Sequence, residues 1–210
     1  MNESEDSPVR LDTRLSGQVR RYHTYPIIGQ QTIAEHCWQI MRIYCSVVDR
    51  VDPHMVIHIT FHDIGETSIG DLPYPVKSEN HKLKEEADYL EQRSRYLQLD
   101  YWDAFKQVLL TEEDKKLFKQ IELIEMAEFG MEQMCLGNGY AFIVADRCLR
   151  NVYQNQPCAR LVQYVIKRVS LFFKQYKNTL RGAVDDWWSI IKWEELLTHG
   201  FKLEESHGSE

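Results

Sequence analysis

The chain has 210 residues, 43% of them hydrophobic and 27% charged, the proportions of a soluble globule long enough to enclose one substantial core. No stretch approaches the ~20 uninterrupted apolar residues of a membrane helix. The 25 Lys and Arg against 32 Asp and Glu give a net charge of −7, so no basic field covers the surface to hold a long phosphate backbone, although a local basic pocket for one nucleotide is compatible with it. The acidic, polar start from Met1 to Pro8 lacks the basic and then apolar run of a secretory signal, which predicts a cytoplasmic protein.

In chain order, Thr32 with Glu35 forms a capping-box pattern that opens a helix through Ile33, Cys37, Ile40, Tyr44, Val47 and Val48 to about Val51. Asp52 and Pro53 suit the N-cap and first turn of a second helix, which carries Met55, Ile59, Phe61 and Ile64 and is expected to end before Gly70. Residues 70 to 76, with two prolines and a glycine, predict a turn-rich loop. A charged helix is expected from about Glu79 to Leu99. Thr111 with Asp114 caps another, whose apolar stripe Leu117, Ile121, Ile124, Met131 and Cys135 runs until Gly137, Asn138 and Gly139 stop it.

Two or three further helices fill residues 140 to 199, where Trp187, Trp188 and Trp193 with Ile190 and Ile191 form an apolar stripe suited to core packing or a subunit contact. The expected fold is therefore all-α, a single domain over residues 1–210 with frayed ends at 1–10 and 203–210. The five cysteines, Cys37, Cys45, Cys135, Cys148 and Cys158, are odd in number, far apart and without a C-x-x-C pair. They predict small buried thiols in a reducing compartment rather than disulfides or a zinc ribbon.

The chemistry concentrates in Phe61-His62-Asp63-Ile64-Gly65-Glu66 and in His36 on the preceding helix. Adjacent His62 and Asp63 point about 100° apart on a helix, so both can grip one cation, with His36 as a third ligand from the neighbouring helix. Imidazole and carboxylate donors together suit zinc, cobalt, manganese or iron and leave positions open for water and a phosphate oxygen. Glu66, one turn beyond His62, and Asp71, in the following loop, bring further acidic groups to the same place. His58, one turn before His62, points away from Asp63, and His81 is expected to be exposed.

Ala34-Glu35-His36, then His62-Asp63-Ile64-Gly65-Glu66, then Gly70-Asp71-Leu72-Pro73-Tyr74-Pro75-Val76-Lys77 together resemble the HD-domain metal-dependent phosphohydrolases, in the branch of the bacterial deoxyribonucleoside 5'-monophosphatases. With Lys119-Gln120-Ile121-Glu122, Glu132 and Gly137-Asn138 the resemblance spans about residues 17–155, leaving 156–199 as additional C-terminal helices. It implies an HD-type helical bundle, a divalent metal (zinc, cobalt, manganese or magnesium) on His36, His62 and Asp63, and Glu66 and Asp71 beside the reacting phosphate. Glu122 aligns with the fourth ligand, where the family has an aspartate one methylene shorter. Glu125 and Glu128 are the neighbouring alternatives.

The run Val19-Arg20-Arg21-Tyr22-His23-Thr24, followed by Gln31 to Trp38, is similar to phage HD-type dATP triphosphohydrolases. That similarity implies Arg21 on the phosphates, Tyr22 stacked on the base or sugar and Thr24 against the base edge. Thr24 stands where that group carries a bulkier apolar residue. Lys77 is a further phosphate-binding candidate. Arginine presents a planar fork of donors to phosphate oxygens, and a tyrosine ring gives a base a flat partner.

The sequence thus implies a metal-dependent phosphohydrolase of deoxynucleotides, with a phage-type triphosphohydrolase favouring dATP as the main reading. The alternatives are a deoxynucleoside 5'-monophosphatase and a nucleotide-binding module of weak turnover. The resemblances also imply a homo-oligomer, dimer or hexamer, in the host cytoplasm if the chain is phage-encoded.

Overall fold

The computed structural model describes residues 13–22, 25–72, 81–99 and 107–176, and among them the fold is all-α apart from one short ribbon. In chain order come α1 (Thr13–Ser16), β1 (Arg20–Arg21), β2 (Gln31–Thr32), α2 (Ile33–Val47), α3 (Pro53–Phe61), a 3-10 helix (Ile64–Ser68), α4 (His81–Leu99), α5 (Glu112–Cys135), α6 (Ala141–Gln154) and α7 (Ala159–Tyr176). β1 and β2 pair antiparallel, Arg20 opposite Thr32 and Arg21 opposite Gln31. No described helix is long and apolar enough to cross a membrane.

The caps read from the sequence form. Thr32 N–H donates to Glu35 Oε2 at 2.7 Å and Glu35 N–H to Thr32 Oγ1 at 3.3 Å, so two backbone donors of α2 are satisfied reciprocally. Thr111 and Asp114 repeat the pattern at 2.9 and 3.1 Å ahead of α5. Asp52 Oδ1 accepts from His54 N–H at 2.8 Å, with Pro53 in the first turn of α3. Beyond α5, Gly137 takes a φ of +97°, a left-handed stop that an L side chain resists.

Two helix ends differ from expectation. α2 stops at Val47, not near Val51, because the chain turns back and Asp52 N–H donates to the Tyr44 hydroxyl at 2.9 Å. α3 stops at Phe61 instead of running through Ile64. Glu66 N–H turns to the Asp63 carbonyl at 3.0 Å, a three-residue bond that tightens the next turn into the 3-10 helix, and the His62 carbonyl accepts from Arg95. His62 and Asp63 therefore sit at a helix break.

The chain divides into two compact units, Met1–Cys45 with Asp49–Phe118, and Ser46–Val48 with Lys119–Glu210. In the first, Ile33, Cys37, Ile40, Ile43, Tyr44, Met55, Ile59, Ile64 and Ala87 are buried. α4 packs on the 3-10 helix so closely that a Cβ built on Gly65 would collide with the Glu91 carbonyl. Gly65→Ala is accordingly expected to destabilise the fold by about 1–3 kcal/mol, seen as a fall in Tm of several degrees. An unchanged Tm would mean that α4 does not lie this close.

In the second unit a Cβ on Gly130 would come within 3.0 Å of the Ala145 Cβ, which sets the close approach of α5 and α6. α7 is tied to α5 where Glu128 accepts from Arg168 Nε and the Tyr164 hydroxyl, both at 2.8 Å. All five thiols are free. Cys37 and Cys148 are buried as expected, whereas Cys45 and Cys158 are exposed, because the faces of α2 and of the turn before α7 that carry them look outward. Burial, with the nearby charges of Glu122 and Glu125, pushes the Cys148 thiol up to about 12.

Candidate active site

Three donors converge in the first unit. His36, on α2, is fully buried, while His62 and Asp63, at the break after α3, keep 6% and 18% of their side-chain surface exposed. Asp63 Oδ2 lies 3.2 Å from His62 Nε2 and 3.7 Å from His36 Nε2, and the two imidazole centroids are 5.4 Å apart. The break in α3 creates this geometry, since the turn at His62 and Asp63 carries the Asp63 carboxylate across both ring nitrogens.

His62 is oriented from behind. Its Nδ1 lies 2.9 Å from the Ile59 carbonyl, which can only accept, so Nδ1 carries the proton and Nε2 faces the carboxylate. Phe118 meets the ring edge-on at a centroid distance of 4.9 Å and packs on His58 in the same way, which leaves His58 a structural neighbour. His62 Nε2 is buried and faces the Asp63 carboxylate oxygen at 3.2 Å. Two imidazole nitrogens and a carboxylate oxygen around one point are the donor set of a borderline divalent ion, and these residues fit one.

Electrostatics agree. Burial pushes the Asp63 carboxyl up, but the charges of His62, His36 and Arg21 outweigh it and hold the group far below the ordinary carboxylate range. Burial likewise pushes the His62 imidazole down, yet Asp63 holds it well above its ordinary value. Without a metal the two form an ion pair. The Asp63 contribution to stability is present above its ordinary value of 3.8 and is lost as pH falls through the depressed one. The His62 contribution is complete below 6.5 and is lost as pH rises through the raised value. A divalent ion has to displace the His62 proton, so its affinity is expected to strengthen as pH rises toward the raised value of that imidazole and to level off beyond it, with proton release measurable by calorimetry in buffers of different ionisation heat. A pH-independent affinity would exclude His62 as a ligand.

Around the donors, Glu66 is buried in the 3-10 helix, whose end is closed by Gly70 N–H on the Glu66 carbonyl at 2.6 Å. Asp71 reaches across 49 residues of sequence: its Oδ2 accepts from Tyr22 N–H at 3.0 Å. Tyr22 has a φ of +57°, a left-handed conformation unusual for an aromatic residue, and Asp71 holds it there. The Arg21 guanidinium carbon lies 5.3 Å from the Tyr22 ring centroid and its Nη1 donates to Gln31 Oε1 at 3.4 Å. Arg21 and Tyr22 are thus ordered together, with the Arg21 charge acting on Asp63.

Thr24 and Lys77 lie outside the described residues, as does the tryptophan stripe near the C-terminus. His81 is exposed beside Glu85. Glu122, in the second unit, pairs with Lys119 at 2.7 Å, and Glu128 is engaged by Arg168 and Tyr164. A cleft of about 420 Å³, lined by Cys37, Trp38, Met41, Phe61 and Ile64 among others, is not lined by the three donors. Cys37, one of its lining residues, has its Sγ 4.0 Å from His62 Nδ1.

Sequence reading missed Arg95. It lies on a helix so rich in charge that one more arginine carries no signal, yet its guanidinium donates to the His62 carbonyl and feels the charges of Asp63 and Glu91. Burial lowers its pKa.

No curated protein matches the chain. The model of the 5'-deoxynucleotidase YfbR-like family matches residues 14–129, more than half of the 210 residues and the stretch that holds His36, His62, Asp63, Glu66 and Asp71. The all-α fold and the convergent imidazole and carboxylate donors agree with that match. The chain belongs to the YfbR-like 5'-deoxynucleotidase family and is a metal-dependent phosphohydrolase acting on deoxynucleotides.

Proposed function

We propose that the protein hydrolyses deoxynucleoside 5'-monophosphates to deoxynucleoside and inorganic phosphate. The observation that carries this is the family match over the residues of the site. It favours the monophosphatase over the triphosphohydrolase to which Arg21, Tyr22 and their neighbours point. His36, His62 and Asp63 hold the ion, and Glu122 is the fourth ligand that the sequence resemblance implies. When bound, a divalent ion supplies Lewis-acid polarisation of the phosphate and lowers the pKa of water toward neutrality.

The remaining work falls to side chains. Arg21 grips the phosphate oxygens and stabilises the charge that builds on them. Tyr22, held by Asp71 in its left-handed turn, offers its ring to the sugar or base. For Thr24 the sequence resemblance implies a role in reading the base, and Lys77 is a candidate second cation for the phosphate. Glu66 takes a proton from the attacking water as its oxygen bonds to phosphorus. The bond from phosphorus to the 5' oxygen breaks opposite, and Asp71 returns a proton to the leaving oxygen.

Purified protein assayed with each deoxynucleoside mono- and triphosphate and with ribonucleoside monophosphates, in cobalt, manganese or magnesium, tests the reading. Deoxynucleoside monophosphates are expected to yield equal amounts of nucleoside and phosphate while triphosphates persist. Triphosphates consumed with monophosphates intact would give the site to a triphosphohydrolase. Tight nucleotide binding without product would make it a binding module.

A further inference from the structure

α4 reads as a solvated, charged helix, but one of its faces is not solvated. Ala87 and Ser94 are buried at 3% exposure each, and Glu91 and Arg95 lie half-buried on the same side, a spacing of four, three and one residues that marks a single face of a helix. This face rests on the 3-10 helix, where the missing Cβ of Gly65 lets the Glu91 carbonyl come close. Arg95 stands one turn beyond Glu91, and that approach brings its guanidinium to the His62 carbonyl.

The bond has a particular place. His62 is the residue at which α3 ends, so its carbonyl lies where intrahelical donors run out. The next available N–H, that of Glu66, goes to the Asp63 carbonyl instead. A charged guanidinium on the His62 carbonyl therefore fixes the peptide group that joins His62 to Asp63, the two residues whose side chains must face each other across one cation. We infer that Arg95 is a positioning residue: by holding the His62–Asp63 peptide from α4 it keeps both side chains aimed at one point, and it sets the affinity of the site for its divalent ion without touching substrate.

The inference rests on the metal-site reading of His36, His62 and Asp63. It goes beyond that reading in giving α4 a role in metal affinity and in separating that role from phosphate binding. Partners that orient metal ligands typically change metal affinity by about 10–100-fold when removed.

The test is titration of metal-free protein with manganese by calorimetry, in wild type, Arg95→Met and Arg95→Lys, with steady-state kinetics at saturating manganese and the melting of the metal-free proteins alongside. Arg95→Met is expected to weaken manganese binding about tenfold or more, with KM for a deoxynucleoside monophosphate unchanged and kcat largely restored once the metal is saturating. Arg95→Lys, which keeps one donor but loses the planar fork, is expected to fall between the two. Unchanged manganese affinity in Arg95→Met, or a raised KM with metal binding intact, would overturn the inference, the second result making Arg95 a substrate contact. If the methionine variant does not fold, the lysine variant decides, since wild-type affinity there also overturns it. Should wild type itself bind no manganese, the metal-site reading fails first, which separates the two failures.

Discussion

Asp63→Ala is expected to lower hydrolysis by about 10³-fold or more at any metal concentration, since the several kcal/mol that a bound ion contributes to phosphate-ester cleavage are lost with the ligand that unites the two imidazoles. Asp63 Oδ2 lies close to both His36 and His62, at 3.7 and 3.2 Å. Without it His62 loses the charge that raises its pKa, and burial pushes the imidazole down. The variant should therefore stay helical by circular dichroism while its His62 ring, followed by NMR, titrates at lower pH. An Asp63→Ala protein with wild-type turnover would refute the metal site, and an unmoved imidazole would refute the ion pair.

The second large effect falls on Arg21. Arg21→Ala is expected to reduce kcat/KM by about 10²–10³ through loss of a charged fork on the phosphate, with the divalent ion still bound. Arg21→Lys should recover only part, since a point charge cannot match two oxygens at once. Arg21 is 7% exposed, donates to Gln31 and lies beside the Tyr22 ring, so its place depends on the β1–β2 ribbon and not on solvent. Kinetics of both variants with metal content measured on the same samples decide the matter. Loss of the metal together with activity would move Arg21 from substrate binding to support of Asp63.

The legible parts of the fold were those encoded by near neighbours. The reciprocal pairs Thr32 with Glu35 and Thr111 with Asp114, and Asp52 ahead of Pro53, each work within a few residues, and each forms as read. The glycine stop at Gly137 is equally local. The break after Phe61 was not legible, because the residues that follow continue an apolar helical pattern without a proline. What ends α3 is a redirected Glu66 N–H and an arginine 33 residues away. The ribbon of Arg20–Arg21 and Gln31–Thr32 is too short for alternation to show.

The same division holds at the site. His36, His62 and Asp63 stand out in the sequence through their company, since a His-Asp pair alone carries little signal and Glu66 one turn on, Asp71 in the next loop and the motif resemblance are what mark it. Gly65 read as part of a motif, and its physical role, admitting the backbone of α4, appears only where Glu91 arrives. Asp71 read as an acid near phosphate, and the structure adds that it secures the strained backbone of Tyr22 through one N–H. Each of these depends on a main-chain atom distant in sequence, and side-chain identity carries no record of such a partner.

Anomalous scattering from a crystal grown with manganese or cobalt measures the arrangement on which the chemistry depends. A single strong peak is expected within coordination distance of His36 Nε2, His62 Nε2 and Asp63 Oδ2, absent from crystals of Asp63→Ala. A peak elsewhere, or none in protein that is active without added metal, would contradict the site described for this chain.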